Sequence, residues 1–132
     1  MAASPILVDS SFYIRTMREG RDPLRILAVT AATRALAVCG VIRCEVARGL
    51  RAPAVLKRYQ AMWDVMIYIP TDNRLWESVE RTLWQLDRRG AILPVPDVIV
   101  GCCALRIEAT VLTYDGHFHQ IPGLRVAERL EI

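Results

Sequence analysis

The sequence predicts an α/β fold, a three-layer α/β/α sandwich around a central, mainly parallel sheet. Three observations lead there. Short apolar runs of strand length alternate with stretches of helical periodicity, the pattern of a parallel sheet covered on both faces. The composition, 53% hydrophobic and 23% charged with 7 Gly and 7 Pro, is that of a chain that folds throughout. No repeat and no Pro/Gly/Ser-rich linker divides the 132 residues, so 1–132 reads as one domain with enough material for a real core.

Taken in order, residues 5–8 (PILV) form a short buried strand, and the pattern turns helical from Ser10 to about Arg18. Gly20 to Pro23 makes a turn. Pro23 suits the first turn of a helix whose apolar face (Leu24, Leu27, Ala28, Ala31, Ala35) runs to about Leu36. A brief strand over Ala37 to Cys39 ends at Gly40, and Val41 to Arg48 is a short helix stopped by Gly49. Pro53 opens another helix through Leu56, Tyr59, Gln60 and Trp63, after which Val65 to Ile69 is extended up to Pro70. Thr71 or Asp72 caps a long helix with Leu75, Val79, Leu83 and Leu86 on one face, and Gly90 stops it. Ala91 to Val95 reads as a short extended run. Asp97 to Ala109 is helical and apolar nearly all round, so it belongs at the centre. Thr110 to Thr113 is a strand, Asp115 to Gln120 a helical turn, and Leu124 to Ala127 a last strand.

Several function classes are excluded early. The N-terminus, MAASPILVDSS, lacks the basic region and long apolar stretch of a signal peptide. The apolar tracts around 24–42 and 91–112 are broken by Arg34 and Arg43, and by Pro94, Pro96, Asp97, Arg106 and Glu108, so neither spans a membrane. The chain reads as soluble and cytoplasmic. The net charge of +3 is nearly all arginine, Lys57 being the sole lysine, which suits carboxylate or phosphate partners without amounting to a nucleic-acid-binding tail. The four cysteines, Cys39, Cys44, Cys102 and Cys103, show no paired C-x-x-C spacing for zinc and read as buried free thiols.

The chemistry lies in the acids. Asp9 follows the first strand, Asp97 opens the central helix and Asp115 follows the strand ending at Thr113. Glu45 lies on the helix after the second strand. Open parallel sheets bind ligands beyond the carboxyl ends of their strands, and this order brings the four acids toward one such edge. Each also has a plainer reading: Asp9 or Asp97 as a helix N-cap, Asp115 as a turn residue, Glu45 as a solvated helix position. Together they are harder to dismiss. Two carboxylates about 4 Å apart repel by roughly 4 kcal/mol at an effective dielectric near 20, so a cluster needs protons or a shared cation. Hard cations such as Mg²⁺ or Mn²⁺ take oxygen ligands of this kind.

The segments ILVDSSFYI, CEVARG, PDVIVGCCALRIEA and VLTYDGHFHQIPGL, in that order, resemble the four acidic motifs of the PIN-domain family. The likeness is best with the small bacterial VapC-type toxins and covers essentially the whole chain. Asp9-Ser10-Ser11 matches a strand ending in Asp followed by Ser or Thr. Glu45 stands to Arg48 and Gly49 as the second motif's acid does to its basic residue and Gly. Asp97, Val100, Gly101 and Cys102 fit the third, with Gly101 and Cys102 in place of the usual alanines. Thr113, Asp115, Phe118 and Ile121 to Leu124 fit the last. The resemblance implies a PIN-like fold and a Mg²⁺- or Mn²⁺-dependent ribonuclease. Asp9 and Asp97 would be its principal metal ligands, Glu45 and Asp115 would complete the pocket, and Ser11 and Thr113 would orient ligands or waters. It further implies an RNA substrate, a cognate antitoxin that covers the acidic pocket, and a homodimer.

Rival readings separate on particular residues. A phosphorelay receiver wants adjacent acids after the first strand and a late lysine, whereas Asp9 meets Ser10 and the only lysine is Lys57. A PIN-like interaction module without useful nuclease activity is the more serious rival, and the presence of all four acids argues against it. An RNA-processing nuclease outside any toxin system would use the same acids. His117 and His119 read as loop histidines more readily than as catalytic groups. The basic runs Arg48, Arg51, Lys57, Arg58 and Arg15, Arg18, Arg21, Arg25 suit either RNA backbone or a solvated helix face. Trp63, Trp76 and Trp84 read as core or interface anchors rather than base-stacking platforms.

Overall fold

The structure is a computed structural model that describes residues 3–130. The strands are β1 (Ile6–Val8), β2 (Leu36–Cys39), β3 (Ile67–Ile69), β4 (Thr110–Leu112) and β5 (Arg125–Ala127). The helices are α1 (Ser10–Arg18), α2 (Pro23–Ala31), α3 (Gly40–Ala47), α4 (Pro53–Asp64), α5 (Asn73–Arg88) and α6 (Val95–Arg106), with a 3-10 turn over Gly116–Gln120. The sheet order is β3-β2-β1-β4-β5 and every pairing is parallel. Central strands β1 and β2 are buried at every position, whereas edge strands β3 and β5 are partly exposed. The expected α/β sandwich with a mainly parallel sheet is therefore present, with a sheet that is wholly parallel.

The order matters for function. The chain winds outward from β1 through β2 to β3, then returns to place β4 on the other side of β1. The switch point lies between β1 and β4, where Val8 is in register with Leu112 and the Asp9 N–H continues the ladder to the Leu112 carbonyl at 2.9 Å. Asp9 and Thr113 thus leave the sheet side by side.

Helix ends explain where the sequence reading drifts. α1 and α5 stop as expected, at Gly20 and Gly90, each with positive φ in a six-to-one C-cap: Arg21 N–H reaches the Thr16 carbonyl and Ala91 N–H the Leu86 carbonyl. α6 ends in the same way, Ala109 N–H to the Ala104 carbonyl at 2.9 Å, but the left-handed residue is Glu108, φ 54°. With no glycine to mark it, the sequence carries the helix on to Ala109, whereas it ends at Arg106.

Three further boundaries move. The helix begun by Pro23 ends at Ala31, not Leu36, because Leu36 is claimed by β2, where it pairs with Ile6. The expected strand over Ala91 to Val95 is absent. Ala91 spends its N–H on the α5 cap, and Pro94 and Pro96 have none to give a ladder. α6 starts at Val95 behind Pro94 as N-cap, so Asp97 lies in the first turn rather than at the cap. Asp72 is the cap of α5, accepting from Leu75 N–H at 3.0 Å.

The core is continuous from both sheet faces into α6, whose residues Val98 to Ala104 are all buried. Gly101 packs tightly: a Cβ there would lie 2.5 Å from Ile121 Cδ1 and oblige the end of that side chain to move, so the helix sits directly on the IPGL loop. Trp63 is core, its indole N–H donating to the Tyr13 hydroxyl at 3.2 Å, whereas Trp76 and Trp84 stand exposed on α5. Cys39, Cys102 and Cys103 are buried thiols as expected; Cys44 is exposed.

Candidate functional site

Asp9 is 4% exposed, among the few buried charged or polar side chains, and its surroundings explain how an apolar strand tolerates it. Its Oδ2 accepts from the Ser11 hydroxyl at 2.8 Å, the Thr113 hydroxyl at 2.8 Å and the Ser11 backbone N–H at 3.4 Å. The two hydroxyls are themselves satisfied from the other side, Ser11 Oγ accepting from Tyr114 N–H at 3.0 Å and Thr113 Oγ1 from Asp115 N–H at 2.9 Å. Each hydroxyl gives its one proton to Asp9 and takes one backbone N–H. The arrangement staples the end of β1 to the turn after β4. Asp9 is also the N-cap of α1, so the plainer role and the site position coincide.

The turn after β4 then carries the next acid. Asp115 caps the 3-10 turn, its Oδ1 accepting from His117 N–H at 2.9 Å. That short loop folds the His117 ring back, placing Nδ1 2.8 Å from Asp97 Oδ2 on the first turn of α6 and 3.1 Å from Asp115 Oδ1. One ligand atom each from Asp97, Asp115 and His117 lie within 4.8 Å of one another. Asp9 and Glu45 stand outside that close group. Glu45, on α3, is held by the Ser10 hydroxyl at 3.0 Å and feels the charges of Asp9 and Asp97.

The electrostatics are those of crowded acids. Burial pushes the Asp97 carboxyl above its usual range, and neighbouring Asp115 and Asp9 add to this against the opposing His117 hydrogen bond. Burial likewise raises Glu45, with Asp9 and Asp97 contributing and Ser10 and Arg48 opposing. His117 is raised above the ordinary imidazole value, chiefly by its hydrogen bond to Asp97. A single imidazole among four carboxylates leaves an excess of negative charge, and oxygen donors with one nitrogen are a set that a hard or borderline divalent cation fits. Asp97, Asp115 and His117 have the spacing to hold one, with Asp9 and Glu45 bordering it.

His117 is the residue that the sequence undervalued. The available signal was the Asp-x-His spacing: an Asp that accepts from the N–H two residues on closes a tight turn and keeps that residue near its carboxylate. His119 shows no comparable contact with the acids. Of the basic residues, Arg58 is paired with Asp22, Arg15 and Arg21 with Glu19, and Arg15 also lies over the Tyr114 ring at 4.2 Å. Arg15 and Arg18, with Ser10, Ser11, Tyr114 and Asp115, line an open groove of about 620 Å³ beside the acids.

The model of the PIN domain matches residues 6–124, nearly the whole chain. The chain belongs to the PIN domain family. No curated protein matches it. Solved structures share the fold at low identity. A DNA-bound VapBC from Salmonella typhimurium superposes with a TM-score of 0.74 at 16% identity, over 95% of this chain and 98% of that one. VapBC2 from Rickettsia felis, bound to a DNA fragment from its promoter, gives 0.72 at 16% over 93% and 97%. VapBC-5 from Mycobacterium tuberculosis, a member of a family of toxin-antitoxin systems, gives 0.61 at 18% over 95% and 97%. The acids of this PIN domain lie at the switch point of a fold shared with those assemblies.

Proposed function

We propose that this PIN domain is a Mg²⁺- or Mn²⁺-dependent endoribonuclease and the toxin of a type II toxin-antitoxin pair, acting in the cytoplasm as one domain over residues 1–132. The observation that carries this reading is the convergence of Asp9, Glu45, Asp97 and Asp115 on one sheet edge of a PIN domain, beside a groove bordered by Arg15 and Arg18. Asp97 and Asp115 would hold the ion, their ligand atoms lying close together beside His117. Asp9, locked by Ser11 and Thr113, would be a further ligand. Glu45, held by the Ser10 hydroxyl at 3.0 Å, would complete the acidic pocket directly or through water. The ion, when bound, supplies positive charge for the phosphate and lowers the pKa of water. The arginines flanking the groove meet the RNA backbone.

An antitoxin partner is supported by the likeness to VapBC structures, and a homodimer is proposed beside it. The exposed faces of Trp76 and Trp84 on α5, 46% and 60% exposed, support a protein-binding surface. No helix among the described residues is long and apolar enough to cross a membrane.

The test is cleavage of a mixed pool of structured cellular RNA by the purified chain. Discrete internal cuts are expected with Mn²⁺ or Mg²⁺, none with chelator, and at least about a hundredfold loss in Asp97→Asn. A well-folded chain with metal bound and no cutting of any RNA would move the reading to the interaction module.

A further inference from the structure

His117 does more at this edge than balance charge. Ligand atoms on adjacent vertices of an octahedron with bonds of about 2.1 Å lie about 3 Å apart. His117 Nδ1 stands 2.8 Å from Asp97 Oδ2 and 3.1 Å from Asp115 Oδ1, so the nitrogen is spaced from each carboxylate oxygen as a neighbouring ligand would be, and one ligand atom from each of the three residues lies within 4.8 Å of the others. The turn that carries the imidazole is itself tied down. Asp115 caps the turn that carries the imidazole, through the His117 N–H at 2.9 Å, and Asp115 N–H is in turn anchored on Thr113 at 2.9 Å. Asp97 comes from the first turn of the buried helix α6. The three donors therefore sit on two rigid supports.

We propose that His117 is a ligand, through Nδ1, to the divalent ion held by Asp97 and Asp115, and that this nitrogen biases the site toward Mn²⁺ over Mg²⁺. The inference rests on the metal-dependent reading above. In the tautomer with hydrogen on Nε2, Nδ1 carries the lone pair that a metal ion requires. Mg²⁺ prefers oxygen donors and keeps its waters, whereas imidazole suits transition metals, so a mixed nitrogen and oxygen set discriminates between the two ions. The competing role is a placeholder: a ring that occupies the acids only until an ion displaces it.

Pulsed electron paramagnetic resonance on the full chain loaded with Mn²⁺ separates these roles without any substrate. The chain has two histidines, His117 and His119, so a directly bound imidazole nitrogen is assignable by two variants. The expected result is strong ¹⁴N coupling to Mn²⁺ in the parent and in His119→Ala, lost in His117→Ala. The latter should bind Mn²⁺ at least about tenfold more weakly, with a much smaller change for Mg²⁺. Bound Mn²⁺ without ¹⁴N coupling, or His117→Ala binding Mn²⁺ as tightly as the parent or more so, overturns the ligand role and leaves the metal-dependent reading standing. Failure of the parent to bind Mn²⁺ at all overturns both. The His117 side chain is 44% exposed, so its replacement leaves the core intact.

Discussion

Asp9 and Asp97 share one edge of the sheet and are held in opposite ways. Asp9 is 4% exposed, and the hydroxyls of Ser11 and Thr113 converge on one of its oxygens from the ends of β1 and β4. Asp97 sits on the first turn of α6, crowded by Asp115 and Asp9, with the His117 nitrogen against it. The first carboxylate is satisfied by the protein and helps to hold the strand ends together. The second is left in surplus, and it is there that an added cation relieves most. Burial alone does not make an acid costly; the supply of donors decides.

Removing a donor from Asp9 should have the largest effect. Thr113→Val keeps the shape of the side chain but takes a hydroxyl from a nearly buried carboxylate and strands the Asp115 N–H that it accepts. A cost of about 2–3 kcal/mol is expected, measured by urea unfolding, because a buried charged group left short of partners bears its desolvation penalty. Ser11→Ala should cost somewhat less. If Thr113→Val unfolds at the parent's midpoint, the hydroxyls do not hold Asp9 and the contrast between the two acids collapses.

Neutralising each acid gives the contrast its sign. Without metal, Asp97→Asn should melt higher than the parent, having lost repulsion from Asp115 and Asp9, and Asp9→Asn lower, having lost charge-assisted bonds; each change is about 1 kcal/mol. The pH dependence follows the same logic. Asp97 and Glu45 are raised from 3.8 and 4.5, and His117 from 6.5, so at all three the folded chain binds its proton more tightly than the unfolded one. Stability contributed there is lost as pH rises, first through the raised carboxyl values and then from 6.5 upward through that of His117. Asp22 and Asp72, lowered by Arg58 and Arg106, act in the opposite sense, below the ordinary 3.8. The metal-free chain should therefore melt higher near about pH 5.5 than near about pH 8. Asp97→Asn should flatten that slope, since it removes both a raised carboxyl and the chief cause of the His117 shift.

The same contrast explains what the sequence made legible. Strands that are apolar at every position, and helices ended by Gly20 and Gly90, announce themselves. So does the placing of acids after β1 and β4, because the end of a strand is a position in the chain as well as in space. Less visible is anything that depends on a residue acting against its type. Glu108 takes the left-handed cap that glycine usually fills, and Ala91 to Val95 has strand-like residues but Ala91 spends its N–H on the helix cap and Pro94 has none. The His117 ring is legible only through the Asx-type turn that aims it. Ser10 belongs to this class too: the family likeness singled out Ser11 with Thr113, but nothing in DSS tells that Ser10 serves Glu45.

That last pair offers the finest test. Ser10 and Ser11 are consecutive at the start of α1, yet Ser11 belongs to the buried Asp9 network while Ser10 donates to Glu45, which stands at the more open side of the site. Replacing Ser10 by Ala removes one hydrogen bond of 3.0 Å to a group that water can still reach. The stability cost should stay within about 0.5–1 kcal/mol, below that of Ser11→Ala in the same denaturation series. The loss should show instead in titration: the Ser10 bond is the larger of the two influences, with Arg48, that oppose burial at Glu45, so the Glu45 carboxyl should move further up, followed by its side-chain ¹³C shift against pH. Equal costs for the two serines, with no movement of Glu45, would mean that this edge behaves as one undivided network and that the division between satisfied and surplus acids lies elsewhere.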